Sequence, residues 1–252
     1  MSFDVAAASY DRFMGRYAVL LAPVFADWAR VRPGARALDV GSGPGALTQV
    51  LVDRLGADAV CAVDPSPPFV AALRESVPGV DVRVASAEQL PHADGTFDHT
   101  LAQLVVSFIP DPVAGLREMA RVTRPGGTVS ACVWDLAGGR GPISLLWKAA
   151  RDLDPSVVDE GLSSGASEGD LERLCAAAGL AAIEGGELTV TLRHATFEDW
   201  WEPYLLGVGP AGDHVASLDA DHREALRERC RALLPEPPFD VVAQAWTVRA
   251  AV

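Results

Sequence analysis

Between Leu38 and Gly45 the chain reads LDVGSGPG, an apolar run carrying one acid, followed by three glycines in five positions. A helix-like apolar pattern continues from Gly45 to about Gly56. Strand, glycine turn and helix in that order form a cradle for a nucleotide-like ligand, because the turn leads backbone amides to a helix N-terminus. Two ligand classes compete for it. A dinucleotide fingerprint, G-x-G-x-x-G, requires a third glycine where this chain carries Ala46. Asp39, two residues before the first glycine, would also stand beside any bound pyrophosphate. Its charge is wrong for phosphate and right for an ammonium or sulfonium, so the physics favours a cationic ligand.

The strand–helix alternation goes on through the first half. Strand-like runs at 36–41, 58–64, 80–86, 97–108 and 128–135 are separated by helical segments, one opening on Pro67–Pro68 and another on Asp111–Pro112. Near-continuous apolar strands of this kind predict a parallel sheet covered on both faces, with the ligand crevice at the strand C-termini. The fold expected is α/β: a Rossmann-like, seven-stranded, mostly parallel, doubly wound sheet with a helical cap. The expected organisation is an N-terminal helical lid (1–35), a binding core (36–135), and a remainder (136–252) that completes the sheet. Insertions at about 136–166 and 196–235 would cap the sheet within a single globular domain.

Composition narrows the partners. The 252 residues are 49% hydrophobic, carry a net charge of −13, and contain a single lysine, Lys148. An acidic surface repels a phosphate backbone, so no nucleic-acid partner is expected. The four cysteines are widely spaced, without ligand-spaced histidines, and read as free thiols in a reducing compartment; no metal site is expected. The opening MSFDVAAASYDRFMGRY lacks the long apolar core of a signal peptide. No run approaches the roughly 20 apolar residues that span a bilayer, and a cytoplasmic protein, monomer or homodimer, is expected.

LDVGSGPG resembles the first motif of class I S-adenosylmethionine (SAM)-dependent methyltransferases. The similarity continues in order through AVDPS (62–66), ASAEQLPHADGTFD (85–98), LAQLVVSFIPDP (101–112) and RVTRPGG (121–127), the pattern of the methyltransferase type 11 domain. SYDRFMGRY (9–17) is similar to the lid segment of that group. The resemblance implies SAM as cofactor and S-adenosylhomocysteine (SAH) as its product. It implies that Gly41, Ser42 and Gly43 meet the methionine part, with Asp39 close to its ammonium. Asp64, followed by Pro65, would accept both ribose hydroxyls. Ser86, Ala87 and Glu88 would border the adenine, although many relatives carry aspartate where Ser86 stands. Gln103 would offer its carbonyl to the amino group, and Arg16 with Tyr10 and Tyr17 would close over the carboxylate.

The family's chemistry needs positioning more than a fixed catalytic residue, since the methyl donor is already activated. Asp135 and His194 are the candidates for a base, with His214 and His222 read as surface or capping residues. Trp134, Trp147, Trp200, Trp201 and Tyr204 fall in the expected pocket rim and insertions, which suits a flat or apolar small-molecule methyl acceptor; cap-core packing is the competing role. Trp246 alternates within the final strand and reads as core. Two other functions stay open at this point: a SAM-binding protein or cyclase that does not methylate, and an NAD-dependent oxidoreductase.

Overall fold

The computed structural model describes residues 7–252, so residues 1–6 of the expected lid lie outside the described residues. Seven strands, β1 (Ala37–Val40), β2 (Val60–Asp64), β3 (Asp81–Val84), β4 (Phe97–Gln103), β5 (Thr123–Trp134), β6 (Ala181–His194) and β7 (Phe239–Ala251), make one sheet. Their order is β3-β2-β1-β4-β5-β7-β6. The pairs among β1–β5 are parallel, and β7 runs antiparallel to both β5 and β6. The order reverses between β1 and β4, which opens a crevice beyond the C-terminal ends of these two strands.

Alternation along β1 explains the two-sided burial. Ala37 joins a core with Leu21 and Phe25 of helix α2 and Leu47 and Leu51 of helix α3. Leu38 and Val40 face the opposite core, with Leu116 and Met119 of α5 and Leu171 and Cys175 of α7. Burying each such Leu or Phe contributes about 1.5–3 kcal/mol. The helices concerned are α1 (Ala7–Tyr10), a π turn at Asp11–Gly15, α2 (Arg16–Trp28), α3 (Ala46–Leu55), α4 (Pro67–Ser76), α5 (Pro112–Val122), α6 (Ser144–Leu153) and α7 (Asp170–Ala177). Asp111 caps α5 by accepting from the Ala114 amide, with Pro112 in the first turn as expected.

The run 97–108, expected as one strand, is two elements. β4 stops at Gln103, Leu104 turns with φ +62°, and Val106–Phe108 form a 3-10 turn. The break carries Val105 across the glycine loop, which an unbroken strand could not do.

Residues 136–166 and 196–235 leave the sheet and cover the strand C-termini, α6 coming from the first, and α8 (Phe197–Trp201), α9 (Gly209–Ser217) and α10 (Ala220–Leu233) from the second. They enclose a third core around Leu146, Trp147, Trp200, Trp201 and Tyr204, which Phe13 of the N-terminal segment joins. Thr196 caps α8 and Asp219 caps α10 through side-chain acceptors. Among the described residues, no helix is long and apolar enough to cross a membrane and no acid–histidine–cysteine group could hold a metal.

Candidate functional site

The crevice is a cleft of ≈ 900 Å³ over the C-terminal ends of β1, β2 and β4. Its floor is the glycine loop. At Gly41, φ is +70°, and a Cβ would lie 2.2 Å from a Val105 methyl carbon. At Gly45, φ is +110°, and a Cβ would lie 2.4 Å from Leu73 Cδ1 of α4. Both positions therefore require glycine, for backbone conformation and for close approach. Gly43 faces open space on its Cβ side.

Asp64 ties this floor to the end of β2. The Gly43 amide donates to Oδ2 at 2.8 Å and the Ser66 amide donates to Oδ1 at 2.8 Å. Burial raises the Asp64 pKa, opposed by the Ser66 and Gly43 amides. Each oxygen has a lone pair left on the cleft wall, so the carboxylate can accept a vicinal pair of hydroxyls. At the end of β4 the Gln103 amide nitrogen donates to the Ala18 carbonyl at 3.1 Å, while its buried Oε1 has no partner. An orphaned acceptor beside an open glycine loop and a carboxylate fits a ligand bearing an amino group and a ribose. Ser86, Ala87 and Glu88 form the far wall. The Ser86 hydroxyl donates to Glu88 Oε2 at 3.0 Å and accepts from the Glu88 amide at 3.2 Å, which leaves one lone pair for a ligand. Pro65 and Tyr10 complete the rim, the Tyr10 ring tilted against Phe69 at 5.5 Å.

Four of the expected cofactor residues, Asp39, Ser42, Arg16 and Tyr17, stand elsewhere, Tyr17 being buried with its hydroxyl on His194. Asp39 is fully buried beneath the loop, its Oδ2 accepting from the Thr48 hydroxyl at 2.6 Å and its Oδ1 unpartnered. Burial pushes its pKa up to about 7, with Thr48 opposing and the Asp64 charge adding to the rise. It can act on a cation by its field and not by contact. Ser42 is buried with its amide donating to the Val63 carbonyl at 3.0 Å, so it shapes the loop without lining the cleft. The Arg16 guanidinium is held by both Asp199 oxygens, at 3.0 and 3.1 Å, and by the Asp199 carbonyl. It fastens α2 to α8 and is spent there.

Neither expected base faces the cleft. Asp135 is buried, accepting from the Gly138 amide at 2.8 Å and from Arg140 Nε, and so pins the turn after β5. His194 lies between the Tyr17 hydroxyl and Asp199 Oδ2, each at 3.1 Å, and stacks on Phe239. Burial, then the Arg16 charge, lowers its pKa, so the ring is neutral at pH 7. This knot of Tyr17, His194, Asp199 and Arg16 joins α2 to β6 and α8. His222 is exposed and pairs with Asp219, and His214 lies against the Trp147 ring.

A second, smaller cavity of ≈ 60 Å³ adjoins the cleft, the two sharing Tyr10, Leu104 and Phe108 on their walls. Of the five aromatic residues expected around an acceptor, only Trp134 lines it. Trp147, Trp200, Trp201 and Tyr204 turn inward and form the cap core, because rings of this size lose more water-exposed apolar area there. Sequence reasoning missed the residues that do line it. Phe13 and Met14 come from the π turn at Asp11–Gly15, Leu104 from the turn after β4, and Glu160 from the first insertion. Only Leu104 had a signal, and it was local: a strand ending against a glycine loop must turn sharply.

Comparison with known proteins agrees with this geometry. Residues 38–131 match the family model of a methyltransferase domain. An uncharacterized methyltransferase of Mycobacterium tuberculosis is 36% identical over 135 residues, 54% of this chain and 52% of its own length. A ubiquinone biosynthesis O-methyltransferase of Xanthomonas campestris is 41% identical over 117 residues, 43% of this chain and 48% of its own length. The chain thus spans about half the length of these relatives. In fold it is similar to the YcgJ protein of Bacillus subtilis, at a TM-score of 0.58 and 18% identity, covering 93% of this chain and 97% of that one. The stretch 38–131 contains the glycine loop, Asp64, the 86–88 wall and Gln103, which are the parts a nucleoside with an amino-acid tail would meet. Through this stretch the chain is similar to the class I methyltransferases, a family whose cofactor is S-adenosylmethionine.

Proposed function

We propose that the chain transfers the methyl group of SAM to a small, predominantly apolar or aromatic acceptor. One observation carries this reading: the cleft floored by the glycine loop and Asp64 opens, past Tyr10 and Phe108, into a pocket walled mainly by apolar side chains. Bound in the cleft, SAM would supply a methyl group on a sulfonium, already reactive toward a nucleophile. Asp64 would hold the ribose hydroxyls, Gln103 Oε1 the amino group, the loop at Gly41 and Gly43 the tail, and Ser86 to Glu88 the adenine. Asp39 would favour the cationic donor from beneath the loop. Tyr10, Leu104 and Phe108, at the junction of the two cavities, would exclude water and bring the partners together. The segments 1–35, 136–166 and 196–235 are read as lid and cap around the acceptor.

Thermal denaturation with and without ligand tests the reading. A ligand that binds only the native state at 100 times its Kd adds about 2.7 kcal/mol of stability. SAM and SAH should raise the melting temperature and NAD should not. Stabilisation by NAD alone would establish the oxidoreductase alternative. Stabilisation by SAH with no labelled product from radiomethyl SAM across an acceptor panel would favour a binding role without transfer.

A further inference from the structure

The smaller cavity carries a carboxylate that the donor site does not use. Glu160 opens a short 3-10 turn, Glu160–Leu162, in the first insertion, and its side chain reaches the cavity wall. Trp147 Nε1 donates to its Oε2 at 3.0 Å. Its Oε1 is without a hydrogen-bond partner, and Glu160 is without an ion-pair partner, among the described residues. The remaining wall is almost wholly apolar, with Phe13, Met14, Phe108, Trp134 and Ile143 on it; Ser107 and Tyr10 supply hydroxyls. The Trp134 indole N–H is already turned to Met14 Sδ at 3.2 Å.

Glu160 is half-buried and has no cation beside it, so its desolvation is offset by the Trp147 hydrogen bond alone. Burial raises the pKa of Glu160, with the Trp147 bond only partly opposing, so the group is a better hydrogen-bond acceptor and proton acceptor than an exposed glutamate. Trp147 fixes one oxygen, packed in the cap core itself, and leaves the other for an occupant of the cavity. The bond also explains why this tryptophan lies behind the wall instead of on it.

We propose that Glu160 is the acceptor-recognition residue of this site, taking through Oε1 a hydrogen bond from the hydroxyl of a small aromatic acceptor whose hydroxyl end enters this cavity and whose ring extends past Phe108 into the adjoining cleft. The proposal rests on the methyltransferase reading for the word acceptor, but its chemistry, a hydroxyl donor meeting a fixed carboxylate in an apolar pocket, stands by itself. Trp147 is a positioning residue that acts through Glu160.

The test uses p-cresol, which has the hydroxyl, and 4-methylanisole, which has the same ring without the donor. Dissociation constants for both are measured by saturation-transfer NMR, with the full chain alone and saturated with SAH. A hydrogen bond to a carboxylate should make p-cresol bind wild type at least roughly tenfold tighter than 4-methylanisole. In Glu160→Gln the amide oxygen keeps the Trp147 N–H, and the NH2 group then faces the cavity, a donor where an acceptor stood. The preference should fall to within about twofold while the melting temperature holds within a few degrees. Ser107→Ala should leave the preference intact. Equal binding of the two probes to wild type, binding of neither, a preference that survives Glu160→Gln, or one erased by Ser107→Ala would each overturn the proposal. Failure of SAH to bind would overturn the methyltransferase reading instead, and the comparison in the chain alone would still decide Glu160.

Discussion

Asp39 couples the glycine loop to pH in a way that can be measured without any substrate. Its carboxyl is fully buried, has one hydrogen bond from Thr48 and one empty oxygen, and its pKa is pushed up to about 7. In the unfolded chain the same group titrates at about 3.9. Below that value both states hold the proton and Asp39 contributes no pH dependence. Between about 4 and 7 the folded state holds one proton more than the unfolded state, so stability falls as pH rises, by about 1.4 kcal/mol per pH unit. Above about 7 both states are ionised, and the accumulated loss is about 4 kcal/mol. The substitution Asp39→Asn keeps an acceptor for the Thr48 hydroxyl and removes the titration. Urea unfolding of both proteins at pH 5, 6, 7 and 8, without ligand, gives the comparison directly. Relative to the variant, wild type should lose stability steadily across this range and level off near pH 8. The other carboxylates cancel in the difference, apart from Asp64, whose coupling to Asp39 is lost in the variant. Parallel stability curves would refute the idea that Asp39 is held in the folded state as a strained, proton-seeking acid beneath the loop.

Other consequences follow from contacts in the cleft and its surroundings. Asp64→Ala removes both acceptors for a ribose and the anchor of the Gly43 amide, and should weaken SAH binding roughly 100-fold by calorimetry. Gly41→Ala forces a methyl group into Val105 at a left-handed φ and should cost about 1–3 kcal/mol in urea unfolding, of which Val105→Ala recovers the steric part only. Asp199→Asn breaks the α2-to-α8 pair with Arg16 and the contact to His194, so it should lower the melting temperature by several degrees while SAH affinity changes less than about threefold.

Most of the residues expected around the cleft do line it, because their signals are short-range. A strand that ends in three glycines can bend in few ways, and an acid at the end of the next strand, 19 residues after Gly45, meets that bend whenever the sheet is parallel. Gln103, Ser86 and Glu88 follow by the same logic, each at the end of its own strand or just beyond it. Asp39 was expected beside a ligand's ammonium and lies instead fully buried beneath the loop. Strand alternation alone does not reveal that Thr48, nine residues on, reaches back to cover it. Arg16 failed for a related reason, since a long side chain on α2 takes the nearest fixed carboxylate. That carboxylate, Asp199, is 183 residues away in sequence.

The acceptor half depends on contacts of that long-range kind throughout. Its wall takes Phe13 from the π turn at Asp11–Gly15, Leu104 from the β4 turn, Trp134 from the end of β5, Glu160 from one insertion and Val208 from the other. No periodicity links these positions, so aromatic content was the available guide, and it pointed to rings that pack with one another. Four of the five expected rings fill the cap core, which leaves the cavity lined by smaller, scattered side chains. The two halves also differ in what a substitution can change. An altered glycine at 41 or 45 strikes a neighbouring side chain and disturbs the fold, whereas Glu160 rests on a short 3-10 turn of an insertion, with its side chain held by the Trp147 indole. The glycine loop is therefore tied to the integrity of the sheet. On the proposed reading, acceptor choice would rest in part on residues of the insertions, which can vary without touching the sheet.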